Sequence, residues 1–115
     1  MEFKDVEIKK SSICQFEDGL GVFAKKDFKQ GETVIKWNLS ILTPEEYKNI
    51  SKYEQENFCH TRNKTIYYYS DPERHVNRSN QPNVTSDLEK EANIALRNIK
   101  KDEELSISVN TKEDF

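Results

Sequence analysis

Nowhere in this sequence does one hydrophobic period last long enough for a long helix. Apolar side chains come in short blocks, cut off by glycine, proline, asparagine or charge. That spacing points to many short strands joined by polar turns. Lys4–Lys9 (KDVEIK) alternates charged and apolar residues as a half-buried strand does. Gly19 and Gly21 flank Leu20, and Val22–Ala24 reads as a second strand. Phe28–Gly31 reads as a turn in which Gly31 supplies the positive φ. Thr33–Trp37 (TVIKW) is a third strand, Thr65–Tyr69 is dense in β-formers, and Asn83–Leu88 reads as another strand. Ala92–Ile99 alternates, with Ala92, Ile94 and Leu96 expected on one face and Ala95 and Arg97 on the other. A last strand should turn Leu105, Ile107 and Val109 inward.

Helix signals are confined to the middle. Thr43 is a good N-cap, Pro44 stands at the first helical position and Glu46 follows three residues after the cap, which is a capping box with a proline start. This helix should run to about Asn49, with a second short helical piece over Tyr53–Cys59. Asp71-Pro72 breaks the strand before it. The fold expected is mostly β with short helices, in one domain over residues 1–115 with no linker or repeat.

Composition narrows the function classes. Only 34% of residues are apolar, but six Phe and five Tyr give bulk enough for a thin core and argue against disorder. The 18 basic and 21 acidic residues leave a formal charge of −3, so direct nucleic-acid binding is not expected. No apolar run approaches membrane-spanning length, and Met1–Lys10 is too charged for a signal-peptide core. An intracellular protein, cytoplasmic or nuclear, is expected. Cys14 and Cys59 form no CxxC pair and read as buried free thiols, and no metal site is expected from two Cys and two His.

Several catalytic patterns fail on inspection. Gly19–Ala24 (GLGVFA) satisfies G-x-G-x-x-A, but a dinucleotide site needs those glycines to open a helix and an acid about twenty residues on. Here β-type residues follow, and Trp37–Thr43 holds no acid. The glycines serve tight backbone geometry or bring amides close to a ligand. Ser12, Ser79 and Ser106 lack a nucleophile elbow, and His75 reads as a structural histidine.

The most specific stretch is Arg74–Asn83, RHVNRSNQPN. It resembles the R-F/H-I/V-N-H-S-C-x-P-N signature of SET-domain protein-lysine methyltransferases. GLGVFAKKDFKQGETV is similar to the family's opening segment, G-x-G-V/L-F-A followed by G-E-x-V/I. IALRNIKKDEELSISVN is similar to its closing A-x-R-x-I-x-x-G-E-E-L-x-x-x-Y. The three blocks stand in family order over most of residues 17–110, with a variable insert at about 40–65. The resemblance implies several small, mostly antiparallel sheets around a C-terminal pseudoknot. It also implies an S-adenosyl-L-methionine cofactor on one face and a protein substrate presenting a lysine through a channel from the other. A domain this short could dimerise to complete its substrate groove.

Carried over residue by residue, the resemblance makes Asn77 a cofactor-binding residue. Its amide both donates and accepts, which suits a zwitterionic ligand. Gly19, Leu20 and Gly21 would present backbone to the same ligand. Arg74 or Arg78 would pair with its carboxylate, and Phe115 would cap the adenine. The departures are informative. The motif His is Arg78, the motif Cys is Asn80, no cysteine-rich zinc-binding tail follows, and the turn glycine is Asp102. The motif tyrosine, whose hydroxyl helps place the amine for methyl transfer, is Val109. Tyr67, Tyr68 and Tyr69 are the candidates to substitute, with Tyr67 and Tyr69 on one face of a strand and Tyr68 on the other. The resemblance thus implies a protein-lysine methyltransferase, or a catalytically impaired domain of that fold which binds cofactor or a protein partner without turnover.

Overall fold

The computed structural model of the chain describes residues 4–13 and 19–109. Ten short strands and two short helices follow in the order β1 (Val6–Lys10), β2 (Leu20–Ala24), β3 (Thr33–Lys36), β4 (Ser40–Leu42), α1 (Pro44–Asn49), α2 (Lys52–Asn57), β5 (Cys59–Arg62), β6 (Thr65–Tyr68), β7 (Asn77–Ser79), β8 (Val84–Asp87), β9 (Ala92–Ala95) and β10 (Ser106–Ser108). A single 3₁₀ turn, Glu73–His75, leads into β7. The strands form four small sheets: β1-β2, β10-β7, β3-β9-β8 and β4-β6-β5. All pairings among these strands are antiparallel except β7 with β10, which is parallel with Asn77 opposite Ser106. Through that pair the last strand lies directly against the asparagine-rich loop.

Val22, Ala24, Phe28, Val34, Ile35, Trp37, Val84, Ile99, Leu105 and Ile107 meet in one core. Val22, Val84 and Leu105 are wholly buried, and each aliphatic side chain of this kind contributes about 1.5–3 kcal/mol. The helices lie outside this core and bury no residue. Capping fixes them instead. Thr43 and Glu46 close the expected box on α1, and Ser51 and Glu54 close a second on α2. No helix among the described residues is long and apolar enough to cross a membrane.

Three expected patterns are corrected. Strand β9 stops at Ala95, so Leu96 lies past the alternating run it was expected to share with Ala92 and Ile94, and is 43% exposed. Ala92, Asn93 and Ala95 are all buried, so β9 has buried side chains on both of its faces and alternation fails. Asn93 can be buried because its Oδ1 accepts the Trp37 Nε1–H at 2.8 Å. At the other end, Leu105 and Ile107 are inward but Val109 is 39% exposed, one residue past β10. The helical piece read as reaching Cys59 ends at Asn57, and Cys59 opens β5. Strands β5 and β6 are joined by Asn63-Lys64, both at positive φ (52° and 66°), as a tight two-residue hairpin turn requires.

Candidate functional site

The asparagine-rich loop and the double-glycine bend meet in space. Gly19, at φ 67°, turns the chain into β2, and the Gly19 carbonyl accepts the Ser11 N–H at 2.8 Å. This brings the end of β1 beside Leu20. Asn77 opens β7 from the other side and is only 2% exposed. Its Nδ2 donates to the Leu20 carbonyl at 3.0 Å and to Glu104 Oε2 at 3.0 Å, with Ser11 Oγ 3.3 Å away. The Ser11 hydroxyl reaches both carboxylate oxygens of Glu104, at 2.7 and 2.9 Å.

Two features of this cluster matter chemically. The first is Gly21. A Cβ there would lie 2.3 Å from Glu104 Oε2 and 2.9 Å from Ser11 Cβ, so glycine is needed for the carboxylate to approach the bend. The second is the far side of Asn77. With its NH₂ turned to a carbonyl and a carboxylate, its Oδ1 is buried and has no hydrogen-bond partner among the described residues. An amide flip would aim the oxygen at those acceptors and is excluded by the same contacts. A buried acceptor without a donor costs about 1–3 kcal/mol, and an N–H on a ligand would relieve it. The orphaned oxygen, the glycine bend and the adjoining carboxylate fit a cationic ligand group.

Asn83 braces this cluster. It is 2% exposed; its Nδ2 donates to the Glu104 carbonyl and its Oδ1 accepts the Ser106 N–H, both at 2.8 Å. The motif's second asparagine thereby locks the acidic turn onto the loop. Asp102, in the turn before Glu104, has φ 76°, which explains why a glycine suits that place and an aspartate is tolerated.

The arginines divide. Arg78, in β7, donates from Nη1 to the Ser108 carbonyl at 2.8 Å, across the parallel pair. Arg74 meets Asp71 through Nε at 3.0 Å, the Tyr68 hydroxyl at 3.3 Å and the Phe58 ring at 5.0 Å. None of these partners belongs to the glycine bend. His75 is buried and paired with Asp71 at 2.9 Å. Phe115 lies outside the described residues.

The three tyrosines have three environments. Tyr68 donates its hydroxyl to Glu54 of α2, which holds the Glu54 carboxyl below the usual range; burial and then Glu54 push the Tyr68 phenol up. Tyr69 is 3% exposed and meets Trp37 edge to face, with ring centres 5.4 Å apart. Tyr67 is half-buried and shares a cavity with Trp37, Tyr69, Leu39 and Leu88. That cavity is small, about 30 Å³, and His60, Arg62 and Glu91 complete its wall. Burial pushes the His60 imidazole down, with Arg62 adding to it, and its Nε2 is buried with no partner among the described residues. The expected split therefore holds, with Tyr67 and Tyr69 facing the cavity and Tyr68 turned to α2. Neither Ser11 nor the cavity histidine was marked by any motif. Glu104 was visible only as part of E-E-L.

A small mostly-β domain whose asparagine loop, glycine bend and acidic turn converge in this way is a SET domain in architecture. The SET domain family profile matches residues 19–109, and the chain belongs to that family. Among solved structures, a putative histone methyltransferase of Plasmodium falciparum aligns at TM-score 0.70 and 23% identity, over 97% of this chain and 98% of that one. A chain of an active polycomb repressive complex 2 in its basal state aligns at TM-score 0.69 and 22% identity, over 94% of this chain and 15% of that one. At such identities the likeness is one of fold. No curated protein matches the sequence.

Proposed function

We propose that the chain is an S-adenosyl-L-methionine-dependent protein-lysine N-methyltransferase. The carrying observation is the buried Oδ1 of Asn77, without a partner among the described residues, beside the glycine bend and the Glu104 carboxylate. An acceptor backed by negative charge suits the α-ammonium of such a cofactor. When bound, the cofactor supplies a methyl group on a sulfonium for a neutral lysine nitrogen. The chain's own part is to seat the ligand with Asn77 and the Gly19–Gly21 backbone, and to offer the cavity of Trp37, Tyr67 and Tyr69 to the substrate side chain. Of the three candidate tyrosines Tyr67 fits an orienting role best, because Tyr69 is packed in the core and Tyr68 is held by Glu54 and Arg74. A lysine-bearing protein of the cytoplasm or nucleus is the substrate this reading implies.

Val109 favours a second reading, a domain of the same fold that binds cofactor or a protein partner without turnover. It stands where the family motif has tyrosine, is 39% exposed and offers no hydroxyl. Tritiated-methyl transfer to lysine-bearing proteins, run beside calorimetric titration of S-adenosylhomocysteine, separates the two. Binding with labelling supports the enzyme. Binding without labelling across candidate substrates, with label appearing in Val109→Tyr, supports the second reading.

A further inference from the structure

We propose that Glu104, held in place by Ser11, is a positioning residue that sets which end of the Asn77 amide faces the ligand. The inference rests on the cofactor reading for the identity of that ligand, while the positioning itself stands on geometry. An asparagine amide is nearly symmetric in shape, and its neighbours decide whether it offers an oxygen or a nitrogen. At Asn77 three acceptors lie on one side: the Leu20 carbonyl, Glu104 Oε2 and Ser11 Oγ. The Ser11 hydroxyl hydrogen is directed at Glu104, so its oxygen is left to accept. Both amide hydrogens are consumed there, and the oxygen is left on the opposite side of the amide as a buried acceptor without a donor among the described residues.

The carboxylate does most of this sorting. Leu20 would tolerate only the NH₂ end, but a backbone carbonyl is one neutral acceptor among two lone-pair sites. Glu104 adds a charged acceptor, and charge-assisted bonds are roughly twice as strong as neutral ones. Its position is enforced from three directions. Ser11 bonds both oxygens, Gly21 leaves the space one of them fills, and Asn83 pins the Glu104 backbone. The consequence is chemical selectivity: the site accepts a ligand with an N–H donor, above all an ammonium, and rejects the same ligand without it.

Glu104→Gln tests this, because glutamine keeps the shape, loses the charge and can donate. Three readouts are needed: the thermal midpoint, solvent exchange of the Asn77 side-chain amide protons by NMR, and calorimetric affinity for two probes. The probes are S-adenosylhomocysteine and its analogue with hydrogen in place of the α-amine. In the wild-type protein slow exchange of the Asn77 amide protons is expected, with a preference of about tenfold or more for the amine-bearing probe. In Glu104→Gln the exchange should quicken and the preference should fall to about twofold, with affinity for the deaminated probe little changed. Ser11→Ala should move both readouts part of the way. Equal weakening of both probes, or an undiminished preference, overturns the proposal. So does Asn77 exchange that is as slow in the variant as in the wild type. If neither probe binds the wild-type protein but Asn77 exchange behaves as expected, the positioning stands and the cofactor reading fails. Should Glu104→Gln not fold, Ser11→Ala alone decides, and unchanged exchange and preference there overturn it.

Discussion

Replacing Gly21 by alanine should cost far more than one methyl group suggests. Gly21 lies within β2 without the positive φ of Gly19 or Gly31, so backbone strain is not the issue. The new carbon would sit 2.3 Å from Glu104 Oε2 and 2.9 Å from Ser11 Cβ. The carboxylate could swing aside, giving up its bonds to Ser11 and Asn77, each worth about 1.5–3 kcal/mol before water repays the half-exposed acid. Ser11 Cβ has no such freedom, and its backbone must shift at an overpacking cost of about 1–3 kcal/mol. Against this, alanine gains about 0.5–1 kcal/mol through the unfolded chain. Even with water repaying part of the two bonds, a net loss of about 2 kcal/mol or more follows, read from urea midpoints at constant m. The cause is checked with Glu104→Ala and the double variant. If the clash with the carboxylate carries the cost, the two changes should be less than additive by about 1 kcal/mol or more. A Gly21→Ala protein within about 0.5 kcal/mol of wild type, or a double variant additive to that margin, refutes the reasoning.

Asn83→Ala should lose about 2–4 kcal/mol of unfolding free energy, because it leaves the Glu104 carbonyl and the Ser106 N–H unpaired inside the protein; chemical denaturation measures it. Glu73 accepts the Asn38 N–H at 2.9 Å and the Ser70 N–H at 3.1 Å, while its other oxygen is buried without a partner among the described residues. Burial raises its carboxyl above the usual range despite those bonds. A raised acid contributes stability when protonated, fully present below the ordinary carboxylate range and lost as pH rises through the folded value. Glu73→Gln should therefore gain on the wild type as pH goes from about 4 to 8, and a difference constant with pH in urea midpoints would speak against it. Tyr67→Phe should reduce methyl transfer on the order of 10- to 100-fold if Tyr67 orients the amine. Tyr68→Phe should instead lower the thermal midpoint by loosening α2.

Local chemistry was legible where it acts within a few residues. The Thr43–Glu46 box, the Gly31 turn and the β-dense run at Thr65 were all readable, because caps and turns are set by neighbours in sequence. Strand β5 was not, since Cys-His-Thr-Arg carries no apolar alternation and pairs only because the Asn63-Lys64 turn folds it onto β6. Leu96 misled for the opposite reason: its spacing is right for a two-faced strand, but β9 has buried residues on both faces and ends before it. In the site, Asn77 and the glycines stood out through their motifs. Ser11 did not, because it meets Glu104 across 93 residues of sequence, and no periodicity reports a contact of that separation. Arg74 stood out through its motif, but its contacts with Asp71, Tyr68 and Phe58 were not legible, since they depend on how the loop packs against β6 and α2.

The parallel pairing of β7 with β10 also sets when the candidate site can form. A growing polypeptide that has released Asn77 from the ribosome still lacks the strand beside it and the carboxylate that orients it. Most of the antiparallel sheets can close earlier, each between segments already synthesised. The candidate site would thus be among the last parts to form, and a chain ending before residue 104 would lack both the carboxylate of Glu104 and the core side chains of Leu105 and Ile107.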